Sequence, residues 1–260
     1  MLFSWLRRRR RRALAAAPWS SAREAILSHG VRHAAWLDAD EGRRLRGTVA
    51  VLLAEKRFEG CGGLVIDDEI RVVVAAQMAL VALGLPVEWF DRLRSILVYP
   101  GDFRAPRRAA LGGGVDIEWH EALEGEVSTE GSMVLSWPRA RTGGRLRDGA
   151  RSVVIHETVH LLDAADGEVD GLPPGVSAEW AGAIDACQEH FREVLDEGRS
   201  VPFDEYADTS PAEFLAVATE CFFQDPHRLW RFDRTLYALL AEAWRQDPRR
   251  RVPASGVSRS

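Results

Sequence analysis

Apolar residues recur at helical spacing over residues 21–29 and 41–57, and from 66 to 83 they run on almost without interruption. The first two stretches predict helices with one buried face. The third predicts a helix buried on all sides, with Asp67 and Asp68 at its start as cap and favourable charge. Gly60-Cys61-Gly62-Gly63 breaks the chain ahead of it. Residues 95–99 then read as a short strand closed by Pro100-Gly101-Asp102. The turn-rich text that follows, with Gly112-Gly113-Gly114, holds two more strand candidates at 115–120 and 132–137. A loop through Gly143-Gly144 leads into a helix carrying His156 and His160, and helical spacing returns at 177–197, 211–223 and 229–245. Strands confined to the middle and helices elsewhere predict an α+β fold, mainly helical around a small central mixed sheet. No repeat and no linker divides it. Residues 18–248 therefore read as one domain between a basic, disordered tail (1–17) and a flexible C-terminal tail (249–260).

Composition narrows the class without identifying an activity. At 260 residues the chain can bury a full core, and 46% hydrophobic with 28% charged residues describes a soluble globular protein. A net charge of −5 gives no reason to expect direct binding of nucleic acid. The longest apolar run, residues 72–85, is interrupted by Gln77 and is too short for a transmembrane segment. Cys61, Cys187 and Cys221 are odd in number and widely spaced. They fit a reducing compartment, exclude a cysteine-type metal site and read as small core residues. Lys56 is the only lysine, so basic charge is carried by arginine. Six arginines, Arg7 to Arg12, follow Phe3, Trp5 and Leu6. The apolar stretch after them is too short for a secretory signal. The segment reads as a solvated tail, or as one able to touch an anionic membrane surface. The expected location is the cytoplasm.

One motif changes the picture. His156-Glu157-Thr158-Val159-His160 sits between Val153-Val154-Ile155 and Leu161-Leu162. On a helix the two histidines are one turn apart on one face. Both can reach one Zn²⁺, with Glu157 beside them to take a proton from metal-bound water. A catalytic zinc needs a third protein ligand and an open position. Asp166 lies six residues beyond His160, where one group of zinc peptidases places that ligand after a glycine turn. Here Asp163 occupies the turn position, and glycine is what makes so sharp a bend cheap. Glu213 and Glu220 are better placed, seven residues apart on one otherwise apolar face of a predicted helix. A buried carboxylate there needs a metal or a strong donor. Glu213 also ends a Ser210-x-x-Glu213 capping box, so spacing alone leaves it equally cap or ligand. Glu220 reads as the partner of an arginine, or of His156 or His160.

With these residues in view, the chain resembles the Mlc titration factor A family of bacterial zinc-dependent peptidases, from the N-terminal helices to about Pro248. The matching segments are Leu97-Val98-Tyr99-Pro100, Val134-Leu135-Ser136-Trp137, His156 to Asp163, and Tyr206-Ala207-Asp208-Thr209-Ser210-Pro211-Ala212-Glu213-Phe214, extended by Glu220-Cys221-Phe222-Phe223. The resemblance implies a zincin-like fold related to the catalytic domain of anthrax lethal factor. It implies one Zn²⁺ on His156, His160 and Glu213, with Glu157 as general base and Tyr206 steadying the oxyanion. Glu220 and Asp163 would support the ligands. It further implies weak aminopeptidase activity on peptide substrates, a cytoplasmic location and binding of the glucose-responsive repressor Mlc. Family members often carry a basic residue directly after the second histidine, and a basic, asparagine-containing stretch after the Leu-Asp. Here Leu161 and Ala164-Ala165-Asp166-Gly167-Glu168-Val169-Asp170 stand there, which predicts a more acidic rim.

In the first functional reading the chain is a zinc peptidase, with residues 132–137 as the sheet edge along which an extended peptide lies antiparallel. The bland alternative for that strand is an internal one that only supports the helix. In the second reading the chain is a regulatory protein that sequesters a transcriptional repressor of the Mlc type. The zinc site is then chiefly structural, and Asp163, Asp166, Glu168 and Asp170 form a docking rim. The readings separate at Glu157, whose loss should end hydrolysis and spare binding. His29, His33, His120, His190 and His227 have no ligand spacing and read as surface or packing residues. Trp19, Trp89, Trp137, Trp180, Trp230 and Trp244 read as core.

Overall fold

The computed structural model describes residues 2–110, 116–123, 125–128, 131–146, 151–167 and 169–253. The first part holds α1 (Leu2–Ala16), α2 (Ser21–Gly30), α3 (Ala39–Glu55), β1 (Arg57–Gly60), α4 (Asp68–Val81) and β2 (Ser95–Tyr99). Then come β3 (Phe103–Ala110), β4 (Asp116–Leu123), β5 (Gly125–Ser128), β6 (Ser132–Ser136) and α5 (Trp137–Gly144). The remainder is helical, with α6 (Val153–Asp163), α7 (Ala178–Asp196), α8 (Pro211–Gln224), α9 (Pro226–Phe232) and α10 (Arg234–Trp244). No described helix is long and apolar enough to cross a membrane.

α4 is the spine of the core. Every residue from Val72 to Val81 is buried, because α2, α3, α5 and α6 all pack against it. A helix covered all round has no polar face to keep, hence the continuous apolar text. The Asp67 side chain accepts from the Ile70 N–H at its start, with Asp68 and Glu69 in the first turn. Gln77 is the exception in this run, and its amide is fully used. It donates to the carbonyls of Val73 and Ala140 and accepts from the Ser152 hydroxyl, joining α4 to α5 and to the start of α6.

The central sheet has the order β1-β2-β6-β5. β1, β2 and β6 are parallel, and β5 returns antiparallel to β6. Strand β6 is thus paired on both sides, Val134 lying opposite Leu97 on β2 and Glu126 on β5. The expectation of a substrate-binding edge at 132–137 is corrected: that strand is internal, β5 is the outer strand on its side of the sheet, and Trp137 already belongs to α5. β3 and β4 form a separate antiparallel pair.

Other differences have local reasons. Residue 57, read as the end of a helix, begins β1, a four-residue strand too short to show a period of its own. The 229–245 stretch is two helices, because Asp233 leaves helical geometry to cap α10, accepting from Thr235 and Leu236. The Gly143-Gly144 loop is the last turn of α5. The tail expected over residues 1–17 is helical from Leu2 to Ala16 and packs on α3. Arginine and alanine are good helix formers. Arg11, 6% exposed, is held by Glu55 and Asp91, 44 and 80 residues away, which no local reading sees. Of the C-terminal tail, Arg251 pairs with Glu41 and the Val252 carbonyl accepts from His227. Residues 254–260 lie outside the described residues.

His33 is buried against the core and donates from Nε2 to the Phe223 carbonyl at 3.0 Å, so Nε2 carries a proton, while Nδ1 is buried with no hydrogen-bond partner. Burial, with a nearby Arg251, pushes its pKa from 6.5 down to about 4. The unfolded chain takes up this proton below pH 6.5 and the folded chain does not. Stability is therefore fully present above 6.5 and falls as pH drops toward 4, by a total of ~3 kcal/mol. Urea unfolding at pH 7.5 and 5 should show this loss, and His33→Gln, which keeps a donor but does not titrate, should flatten that part of the slope.

Candidate metal centre

The centre is built where α6 and α8 pack together. α6 starts at Ser152, whose hydroxyl accepts from the Ile155 N–H. From there the 3.6-residue period places His156 and His160 on one face, Nε2 to Nε2 3.1 Å apart. α8 starts at Ser210, whose hydroxyl accepts from the Glu213 N–H at 3.2 Å. The carboxylate of the same residue turns inward, Oε2 3.1 Å from His156 Nε2 and Oε1 3.5 Å from His160 Nε2. Cap and inward-facing carboxylate are not rivals at Glu213, because the first uses the backbone and the second the side chain. On its other side α8 is backed by aromatic packing of Phe214 against Phe191 and Phe203, with ring centroids 5.8 and 6.1 Å away.

One ligand atom each from His156, His160 and Glu213 lie within 4.8 Å of one another. Glu213 Oε2 is buried and makes no hydrogen bond, despite its closeness to His156. An orphaned carboxylate oxygen facing two imidazole nitrogens is a donor set that lacks its acceptor. It fits a divalent cation that takes nitrogen and oxygen ligands.

The surrounding charge points the same way. Glu157, Asp163 and Glu220 are all buried. Glu220 binds twice, Oε1 2.8 Å from His156 Nδ1 and Oε2 accepting the Ser152 N–H. A proton on Nδ1 shared with Glu220 leaves Nε2 free to face the centre. Burial works against charge on His156, but the closeness of the Glu213 and Glu220 carboxylates outweighs it and raises its pKa well above the ordinary value. Burial likewise opposes charge on Glu213, while the two histidines hold it well below the carboxylate range. For Glu157 burial wins and pushes the carboxyl up to about 7.

Among the described residues, the hydrogen bonds of Asp163 go to backbone rather than to the histidines. Its oxygens accept the backbone N–H groups of Gly171 at 3.0 Å and Leu172 at 3.2 Å, closing the loop that leaves α6. That loop meets the start of α8. A Cβ on Gly171, whose φ is +81°, would lie 2.5 Å from the Pro211 carbonyl carbon. Gly171→Ala should therefore displace the turn that presents Glu213. The expected cost is ~1–3 kcal/mol in urea unfolding, with weakened affinity for any divalent cation held there.

Tyr206 is 50% exposed on a 3-10 turn, Glu205–Thr209, that packs on α8. Asp204 caps this turn and also pairs with Arg151, while Asp208 pairs with Arg192 of α7. Asp166 and Asp170 are exposed, and Asp166 is not in the group of ligand atoms found among the described residues. Glu168 lies outside the described residues. Sequence reasoning does not single out Ser152 and assigns Gln77 no role. A serine ahead of an apolar run, and a lone amide inside one, are the signals that could have found them.

The family described as glucose-regulated metallo-peptidase M90 matches residues 5–245. An uncharacterized protein of Synechocystis sp. is 31% identical over 231 residues, covering 86% of this chain and 84% of that protein. Mlc titration factor A of Edwardsiella ictaluri is 31% identical over 229 residues, 85% and 86% of the two chains. The protein of that name from Yersinia pestis is 29% identical over 224 residues, 83% and 82%.

Proposed function

The chain belongs to the glucose-regulated metallo-peptidase M90 family, and from that premise we propose that it is a zinc-dependent peptidase of zincin-like fold whose metal rests on His156, His160 and Glu213. The observation that carries this reading is the buried, orphaned Glu213 oxygen set against two imidazole nitrogens. Bound there, zinc supplies Lewis acidity, polarising the scissile carbonyl and lowering the pKa of water toward neutrality. Glu157 takes the proton of the attacking water and returns it to the leaving amine. Its burial keeps the carboxylate basic, as this work requires. Glu220 holds the His156 ring in orientation. The Tyr206 hydroxyl donates to the developing oxyanion, a contribution of ~3–4 kcal/mol for one such donor. An extended peptide pairs with the outer strand β5, against which α6 packs.

The finer reading is a weak aminopeptidase of the cytoplasm. The test is hydrolysis of alanine anilide by zinc-loaded protein, beside the N-acetylated compound. Turnover of the free amine alone supports aminopeptidase action. Turnover of both removes the exopeptidase preference, and turnover of no peptide substrate at any pH removes the peptidase.

A second reading is favoured by the name Mlc titration factor A among the relatives. On this reading the chain sequesters a transcriptional repressor of that type, with Asp166 and Asp170 on the exposed rim. Capture of such a repressor by the protein lacking Glu157 would separate this role from hydrolysis.

A further inference from the structure

A cavity of about 670 Å³ opens between α1 and α3, and none of its lining residues belongs to α6 or α8. Its basic lining is Arg8, Arg11 and Arg12 of α1 with Arg43 and Arg44 of α3. Its apolar lining is Val51, Leu83, Leu85 and Val87. Glu88 is the one carboxylate among the lining residues. The helices meet closely beside the cavity because Gly47 has no side chain, a Cβ there falling 3.0 Å from that of Ala15.

Among the lining residues five arginines stand against one carboxylate. Arg11 donates to Glu55 and Asp91, yet its Nη1 is buried without an acceptor. Arg8 reaches Glu88 only at 3.9 Å, and Arg43 pairs outward with Asp40. Arg12 and Arg44 are exposed and make no ion pair within 4 Å among the described residues, though Arg44 lies near enough to Asp38 to lower its pKa. Guanidinium groups gathered on one cavity repel one another until an anion sits between them. Their forked donors match phosphate oxygens, and phosphate offers more acceptors to several arginines than a carboxylate does. The volume is that of a small-molecule site, and the apolar lining has no use for inorganic anion alone.

We propose that this cavity binds a phosphate-bearing amphipathic molecule, its phosphate on Arg12 and Arg44 and its apolar part against Leu85 and Val87. Two sources share this chemistry, a soluble phosphomonoester and a phospholipid headgroup. Trp5 and Leu6, exposed on the same helix, suit the second.

The test compares wild type with the double variant R12A/R44A, whose exposed side chains leave the core untouched. Calorimetry is run with phenyl phosphate and inorganic phosphate, and flotation with phosphatidylcholine vesicles with and without phosphatidic acid. Saturable binding of phenyl phosphate, tighter than inorganic phosphate and weakened ~tenfold or more in the variant, identifies a soluble ligand. Flotation only with phosphatidic acid, lost in the variant, identifies the headgroup. No binding in either arm, binding that the variant retains, or equal affinity for the two phosphates with no flotation would overturn the proposal.

Discussion

Glu157→Gln is expected to lower alanine anilide turnover ~10³-fold while the protein keeps its zinc, because a general base is typically worth ~10²–10⁴-fold. Gln has the same shape as Glu and cannot take the proton. Glu157 is 5% exposed and sits between the two histidines in sequence, but it is not among the converging ligand atoms. Losing its charge should therefore leave metal binding intact. Zinc content by mass spectrometry and kcat on the same preparation decide the matter. Equal turnover in wild type and variant would assign any hydrolysis to a contaminant, and repressor capture would then become the leading function.

Glu213→Ala should abolish stoichiometric zinc, and with it the rise in melting temperature that zinc gives the wild type. A ligand held at a thousand times its Kd stabilises the folded state by ~4 kcal/mol, so the difference is large and readily measured. Removing Glu213 takes away the only carboxylate among the three converging ligands. Glu220→Gln should be milder, with affinity falling ~10–100-fold, since Glu220 touches the centre only through His156 Nδ1. A Glu213→Ala protein that binds zinc as wild type does would place the third ligand elsewhere. Equal losses in the two variants would mean that the helix packing, not the ligand atom, had been damaged.

The convergence of His156 and His160 on one point is legible in the order of residues, because a spacing of four on a helix is local geometry. The core helix α4 is legible for a related reason. Burial on every side is written as an unbroken apolar run. At Glu213 spacing gives two answers, and both kinds of contact occur: its N–H meets the Ser210 hydroxyl while its carboxylate meets the histidines. A capping box uses both groups locally, as Asp38 and Glu41 do at α3. Only the position of α6 decides that Glu213 spends its side chain elsewhere.

The sequence by itself determined the helix-rich α+β class, the histidine pair on one face of α6, and the two carboxylates of α8 that could face it. These rest on periodicity and on contacts within one turn, which the order of residues states directly. Tertiary structure alone decided that β6 is internal and β5 outermost, since pairing partners come from separate segments. It decided that the arginine-rich start is a docked helix, because Glu55 and Asp91 neutralise Arg11 from far along the chain. It also decided that Asp163 closes the loop after α6, because a buried carboxylate takes the nearest donors, and here those include the N–H groups of Gly171 and Leu172.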